Sequence, residues 1–205
     1  MLEIPTPHGP ARVHLDPRDA PPTALVLGHG ANGGVEARDL AAAAAAARAA
    51  GVAVALVEQP YRVAGRRSPA PARQLDAAWT AVVEHLRDGP LRGSALLAGG
   101  RSSGARVACR TAAATGAAGV LCLAFPLHPP GRPQATRLDE LDSVAVPTLV
   151  VQGKRDPFGM PPPGPRREVA VVAGNHSLRA DLDAVTEAVG RWLSAGAWSA
   201  RAPGR

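Results

Sequence analysis

Three residues on separate segments have the side chains that an acyl-transfer reaction needs. They are Ser102 in Gly100-Arg101-Ser102-Ser103-Gly104, Asp156 in QGKRDPFG and His176 in GNHSL. A serine hydroxyl becomes a competent nucleophile when a neighbouring base takes its proton, and histidine is the side chain whose ordinary pKa suits that task. A carboxylate on the far side of the imidazole would hold the productive tautomer. The first segment fits G-x-S-x-G, with glycine two residues either side of Ser102; Ser103 has no such flanks. Ser103 would instead supply a backbone N–H to an oxyanion hole. The pattern alone is weak in a chain with 22 glycines. A glycine-rich turn at a helix N-terminus could equally cradle a phosphate.

A fourth segment, Gly28-His29-Gly30-Ala31-Asn32-Gly33-Gly34, lets backbone approach a substrate closely, and Ala31 N–H is its candidate second oxyanion donor. His29 reads better as a brace for this loop than as an acid or base. A dinucleotide-binding reading of the loop is weaker, because Glu58 opens a proline-containing loop. His29, Tyr61, Arg62, Arg101 and His128 are the further candidates for lining the mouth of the site. Arginine there hints at an anionic substrate, although a solvated arginine is the commoner situation.

The elements that must carry these residues alternate along the chain. Residues 2–4 and 11–15 read as an antiparallel hairpin, within an N-terminal segment 1–20. Apolar strands follow at 24–28, 52–57, 94–99, 119–125, 148–153 and 168–174. Helices are predicted at about 36–50, 74–88, 103–116 and 178–195, with a short helical piece near Leu138 to Asp142. Residues 58–73 read as a polar, proline-rich loop and 197–205 as a frayed tail. Such alternation implies one α/β domain over 1–205, a doubly wound, mostly parallel sheet with helices on both faces. Ligands of such sheets bind beyond the C-terminal strand ends, where every motif above falls. Ser, Asp and His also follow one another in the order used by α/β-hydrolases.

Composition narrows the alternatives. Apolar residues make up 46% of 205 residues, enough for a single core, and aromatics only 3%, so Ala, Val and Leu must build it. The formal charge of +6 comes almost wholly from scattered arginines, Lys154 being the one lysine. No aromatic residues interleave with them, which argues against nucleic acid. Cys109 and Cys122 lie in apolar stretches without zinc-ligand spacing, and no metal or cofactor is expected. The first residues lack a signal-peptide pattern and no apolar run suits a membrane span, so a cytoplasmic protein without membrane attachment is expected. Oligomeric state is not legible.

Together the stretches LGHGANGG, EQPYRVAG, GGRSSGARVA, FPLHPPG, VQGKRDPFG and GNHSL resemble the α/β-hydrolase superfamily. Within it they are most similar to small dienelactone-hydrolase-like proteins, in particular bacterial relatives of the testis-expressed and NSL chromatin-complex subunit family. The resemblance implies triad roles for Ser102, Asp156 and His176. Serine stands where true dienelactone hydrolases have cysteine, which argues against that activity. The segment after the strand at 119–125 is too short for a lid domain, so a small, accessible substrate is expected. The expected chemistry is hydrolysis of an ester or thioester. A non-catalytic scaffold on the same fold, or an acyltransferase or peptidase using the same triad, is the alternative.

Overall fold

The computed structural model describes residues 1–16 and 21–196. Fourteen elements follow one another: β1 (Leu2–Ile4), β2 (Ala11–Leu15), β3 (Thr23–Gly28), α1 (Arg38–Ala49), β4 (Ala53–Glu58), α2 (Pro60–Val63), α3 (Ala72–Asp88), β5 (Ala95–Arg101), α4 (Ser103–Thr111), β6 (Gly119–Leu123), α5 (Leu138–Asp142), β7 (Thr148–Gly153), β8 (Arg167–Val172) and α6 (Leu182–Ala195). The strands form one eight-stranded sheet in the order β1-β2-β4-β3-β5-β6-β7-β8. Strands β3 to β8 run parallel, while β1 and β2 form the antiparallel hairpin that extends one edge. The doubly wound fold read from the sequence is present, without a lid. No described helix is long and apolar enough to cross a membrane.

Strand periodicity sorts the core into two unlike layers. On one face Leu25, Leu27, Leu97, Leu121 and Leu149 pack with α1 and α6. Helix α1 contributes mainly alanines there, Ala43, Ala44, Ala46 and Ala47, so large sheet residues meet a small-residue helix. On the other face the sheet presents Ala24, Val26, Ala98, Val120 and Cys122, and α3 supplies the bulk with the fully buried Trp79. Large opposite small on each face fills a core that has few aromatics.

Most element ends fall within two residues of the sequence reading, and three departures have a clear physical cause. The loop 58–73 contains α2, with Pro60 at its first position, where a missing N–H costs nothing. The helix expected over 103–116 ends at Thr111, and Ala112 to Gly116 close in turns. The final helix begins at Leu182 rather than 178, because Leu178 takes φ 52° and Asp181 caps the helix by accepting from Ala184 N–H at 3.0 Å. The expected frayed tail, and residues 17–20 of the N-terminal segment, lie outside the described residues. The stretch 126–146 is tied to the body by buried Leu127, Leu141 and Val144.

The tightest packing lies where β5 turns into α4. A Cβ at Gly100 would sit 2.5 Å from the Gly28 carbonyl oxygen, and one at Gly104 would clash with that oxygen and lie 2.8 Å from the His29 carbonyl oxygen. Backbone occupies both positions, and it cannot move without unpairing β3 from β5. By contrast, a Cβ at Gly190 inside α6 meets nothing within 4 Å. Gly104→Ala should therefore cost about 1–3 kcal/mol, a fall in Tm of roughly 4–10 °C. Gly190→Ala should raise Tm slightly through helix propensity. Thermal melts of the two variants would check both signs.

Candidate active site

Ser102 is the hinge of the strand–helix turn. Its backbone takes φ 51° and ψ −106°, a conformation that non-glycine residues rarely adopt and that costs about 1–3 kcal/mol. The turn is held because Ser102 N–H still donates to Leu123 O at 2.9 Å, continuing the sheet, while Arg106 N–H already donates to Ser102 O in α4. The side chain is thereby presented above the strand ends. Ser103 opens α4, so its N–H has no helical partner. Neither Ser103 N–H nor Ala31 N–H has a protein acceptor among the described residues.

His176 and Asp156 come to Ser102 from the ends of β8 and β7. The His176 ring lies 2.9 Å from Ser102 Oγ through Nε2 and 2.8 Å from Asp156 Oδ2 through Nδ1. A carboxylate only accepts, so Nδ1 carries the proton and Nε2 accepts from the serine hydroxyl. Asp156 has no exposed side-chain surface. Its Oδ1 accepts from Phe158 N–H at 2.9 Å, and its Oδ2 also accepts from Gln152 Nε2 at 3.0 Å. The Phe158 ring packs edge-on against the His176 ring, 4.6 Å between centroids.

Around this relay lies a cleft of about 400 Å³, bordered by Ala31, Asn32, Arg101, Phe158, Ser177 and Arg179 among others. Of the five further sequence candidates, Arg101 alone borders it. Its Nε donates to Asp39 Oδ2 at 2.7 Å and its NH2 group to the His176 carbonyl at 3.1 Å, so its charge is already engaged. His29 is buried, and its Nε2 accepts from Gln59 N–H at 3.1 Å while Nδ1 donates to Gly30 O at 2.8 Å. That is the brace the sequence suggests. Tyr61 donates to Ala31 O at 2.9 Å and faces a separate hollow of about 80 Å³ with His8 and Leu75. It supports the loop rather than the substrate. Burial pushes its phenol up to about 12, so it stays a donor. Arg62 lies beside it in α2, away from the cleft lining. His128 is turned to Ala135 O at 2.8 Å under the loop that carries Gly159, again outside the lining.

Two residues at the site were not anticipated. Gln152 is a fully buried amide in the otherwise apolar strand TLVVQG, and a polar side chain there was the available signal. It also donates towards Phe125 O and Gly159 O, tying the Asp156 loop to β6. Arg179 borders the cleft, exposed and without an acidic partner among the described residues. Its position in a loop carried no periodic signal. A second hollow, about 260 Å³, lies at the opposite end of β7 and β8, where Asp142 is paired with Arg167.

A family model for the α/β-hydrolase domain matches residues 21–181, a span that contains the loop after β3, Ser102, Asp156 and His176. The chain belongs to the α/β-hydrolase family. Solved structures of similar fold include a lidless α/β serine hydrolase from Xanthomonas campestris, 24% identical, with TM-score 0.73 over 93% of each chain. Est1E from Butyrivibrio proteoclasticus is 17% identical, with TM-score 0.77 over 98% of this chain and 99% of its own. A dienelactone hydrolase from Anabaena variabilis is 17% identical, with TM-score 0.72 over 95% of each chain. A search of curated proteins finds no match.

In this hydrolase the loop after β3 depends on a neutral His29. Burial is the largest influence on it and pushes its pKa below the ordinary 6.5, with Gly30 O opposing. Between that lowered value and about 6.5 the unfolded chain binds more protons, so stability rises with pH. His29's contribution is intact above 6.5 and is lost as pH falls below it. Thermal melts across this range should show a steeper acid-side loss for the wild type than for His29→Gln.

Proposed function

We propose that this chain is a serine hydrolase that cleaves an ester or thioester of a small, accessible substrate through an acyl-enzyme on Ser102. The observation that carries the reading is the unbroken relay from Ser102 Oγ to His176 and on to Asp156, at 2.9 and 2.8 Å. His176 Nε2 takes the hydroxyl proton as Ser102 Oγ bonds to the substrate carbonyl carbon. The carbonyl π electrons move onto oxygen, where the N–H groups of Ser103 and Ala31 would hold the oxyanion. Each such donor is worth about 3 kcal/mol in hydrolases generally. Collapse of the tetrahedral species breaks the bond to the alcohol or thiol, which leaves with the proton from His176. Water then gives its proton to His176, attacks the acyl carbon and frees Ser102. Asp156 keeps its charge throughout, stabilising the imidazolium.

The open cleft supports a substrate that needs no lid to hold it. We assign the anionic preference to Arg179: Asp39, the one carboxylate of the cleft lining, is bound to Arg101, leaving the Arg179 charge uncompensated there. Phe158, Pro130 and Ala37 offer the same cleft an apolar wall. On its sequence blocks the chain is assigned to the branch of bacterial relatives of the testis-expressed and NSL subunit proteins, with a cytoplasmic site of action.

A fluorophosphonate reacts with an activated serine beside an oxyanion hole, whatever the natural substrate. Peptide mass spectrometry should find one adduct, on Ser102, absent from Ser102→Ala and His176→Ala. A folded wild-type protein that takes no label would overturn the enzyme reading and favour a scaffold. For the substrate preference, Arg179→Ala should raise KM for esters bearing a carboxylate by about two- to fivefold, the order of one exposed charge contact, and leave neutral esters unaffected. Equal effects on both ester classes would remove the assignment.

A further inference from the structure

We infer that Arg101 is a positioning residue for His176, clamped in place by the buried Asp39, rather than a cation that grips the substrate. The inference rests on the reading that Ser102 and His176 work as nucleophile and base. Arg101 directly precedes Ser102, and its side chain could extend over the cleft. It turns back instead. Its Nε donates to Asp39 Oδ2 at 2.7 Å and its NH2 group donates to the carbonyl of His176 at 3.1 Å. Asp39 is only 2% exposed, and its other oxygen accepts from Leu40 N–H at 3.0 Å, which fixes it to the first turn of α1. One guanidinium thus joins α1, the nucleophile turn and the histidine loop.

The histidine loop needs such a tie. It contains two left-handed residues, Gly174 at φ 105° and Leu178 at φ 52°. Its internal bonds run from Leu178 N–H to Asn175 O and from Ser177 to the Asn175 side chain, and they leave the His176 carbonyl to Arg101. Fixing that carbonyl fixes the peptide from which the imidazole projects. The loop after β3 rests on the same group: a Cβ on Gly30 would lie 2.6 Å from the Arg101 NH1 atom. A planar fork fixes two acceptors in one relative geometry, which a single ammonium cannot do. The Arg101 side chain is itself only 19% exposed and Asp39 2%, so those bonds are also stronger than they would be in water.

Arg101→Lys separates the roles, because it keeps a positive charge beside Asp39 and loses the fork. The fold should survive, read by thermal melt. The rate of fluorophosphonate labelling and the kcat for a neutral ester should both fall by about 100-fold, the scale of an ångström-sized misplacement, with KM unchanged. The low-field NMR resonance of the His176 Nδ1 proton, which needs no turnover, should broaden or vanish. Gly30→Ala should slow labelling in the wild type and add less in the Arg101→Lys background, since both act through one group. A labelled wild type with an Arg101→Lys variant equally fast and equally sharp at low field would overturn the inference. A rise in KM confined to acidic esters, with kcat held, would overturn it as well and make Arg101 a substrate contact. If the wild type takes no label, the function reading falls, while the imidazole resonance still decides whether Arg101 positions the ring.

Discussion

Much of this structure depends on how closely α4 can approach β3 and β5. Gly100 and Gly104 lie against the backbone of Gly28 at distances that no Cβ would permit, and the chain leaves β5 through Ser102 at φ 51°. The strain at Ser102 persists because both neighbours over-determine it. Its N–H is held by β6 and its carbonyl already belongs to α4. The same approach places Ser103 beside the loop after β3, so Ser102 and the two N–H groups proposed as oxyanion donors are set by one packing event. A hydroxyl set on a relaxed loop would have neither the height above the sheet nor the fixed direction.

The second cost is buried polarity at the strand ends. Burial pushes the Asp39 carboxyl above its ordinary range, and Arg101 only partly opposes this. A pair so placed is weak evidence for stability, since apolar residues of similar volume often serve a core as well. Its position is informative on other grounds: it joins the three segments that converge on Ser102. Asp156 and Gln152 form a comparable group, with buried side chains bonded to each other; Gln152 also holds the Phe125 carbonyl just beyond β6, and Asp156 accepts from Phe158 N–H in its own loop. His29 differs in kind, being kept neutral so that it can accept from Gln59 and donate to Gly30 O. Polar residues therefore concentrate where strands end, and the body of each layer stays apolar.

This division explains what could be read from the sequence. Strands such as ALVLG and GVLCL are apolar throughout because both faces are covered, and their number and order along the chain followed directly from that pattern. The serine, aspartate and histidine were legible because each follows a strand in a fixed order. Helix ends were less so: Leu178 looks helical by type, yet its φ is set by the histidine loop. The mouth residues were the least legible. Tyr61, His128 and Arg62 have suitable chemistry, but whether a side chain faces substrate or a neighbouring carbonyl is decided by packing between segments far apart in sequence. Arg101 shows the point well, since its partners are 62 and 75 residues away.

Three side chains at this site share one device. Tyr61 takes the Ala31 carbonyl, Arg101 the His176 carbonyl and Gln152 the Phe125 carbonyl. Each bonds to backbone, and each comes from a different strand end or from the short helix that follows one. Holding carbonyls from behind leaves the opposite side of the loop free for substrate and fixes N–H directions before any substrate arrives. Preorganisation of that kind replaces the closure on which lidded enzymes draw to complete their sites. It also carries a constraint. Without closure, water has access to the relay, and orientation must come from contacts with the substrate itself. If Ser102 forms the acyl-enzyme proposed above, such a site favours water as its acceptor over a competing alcohol or amine.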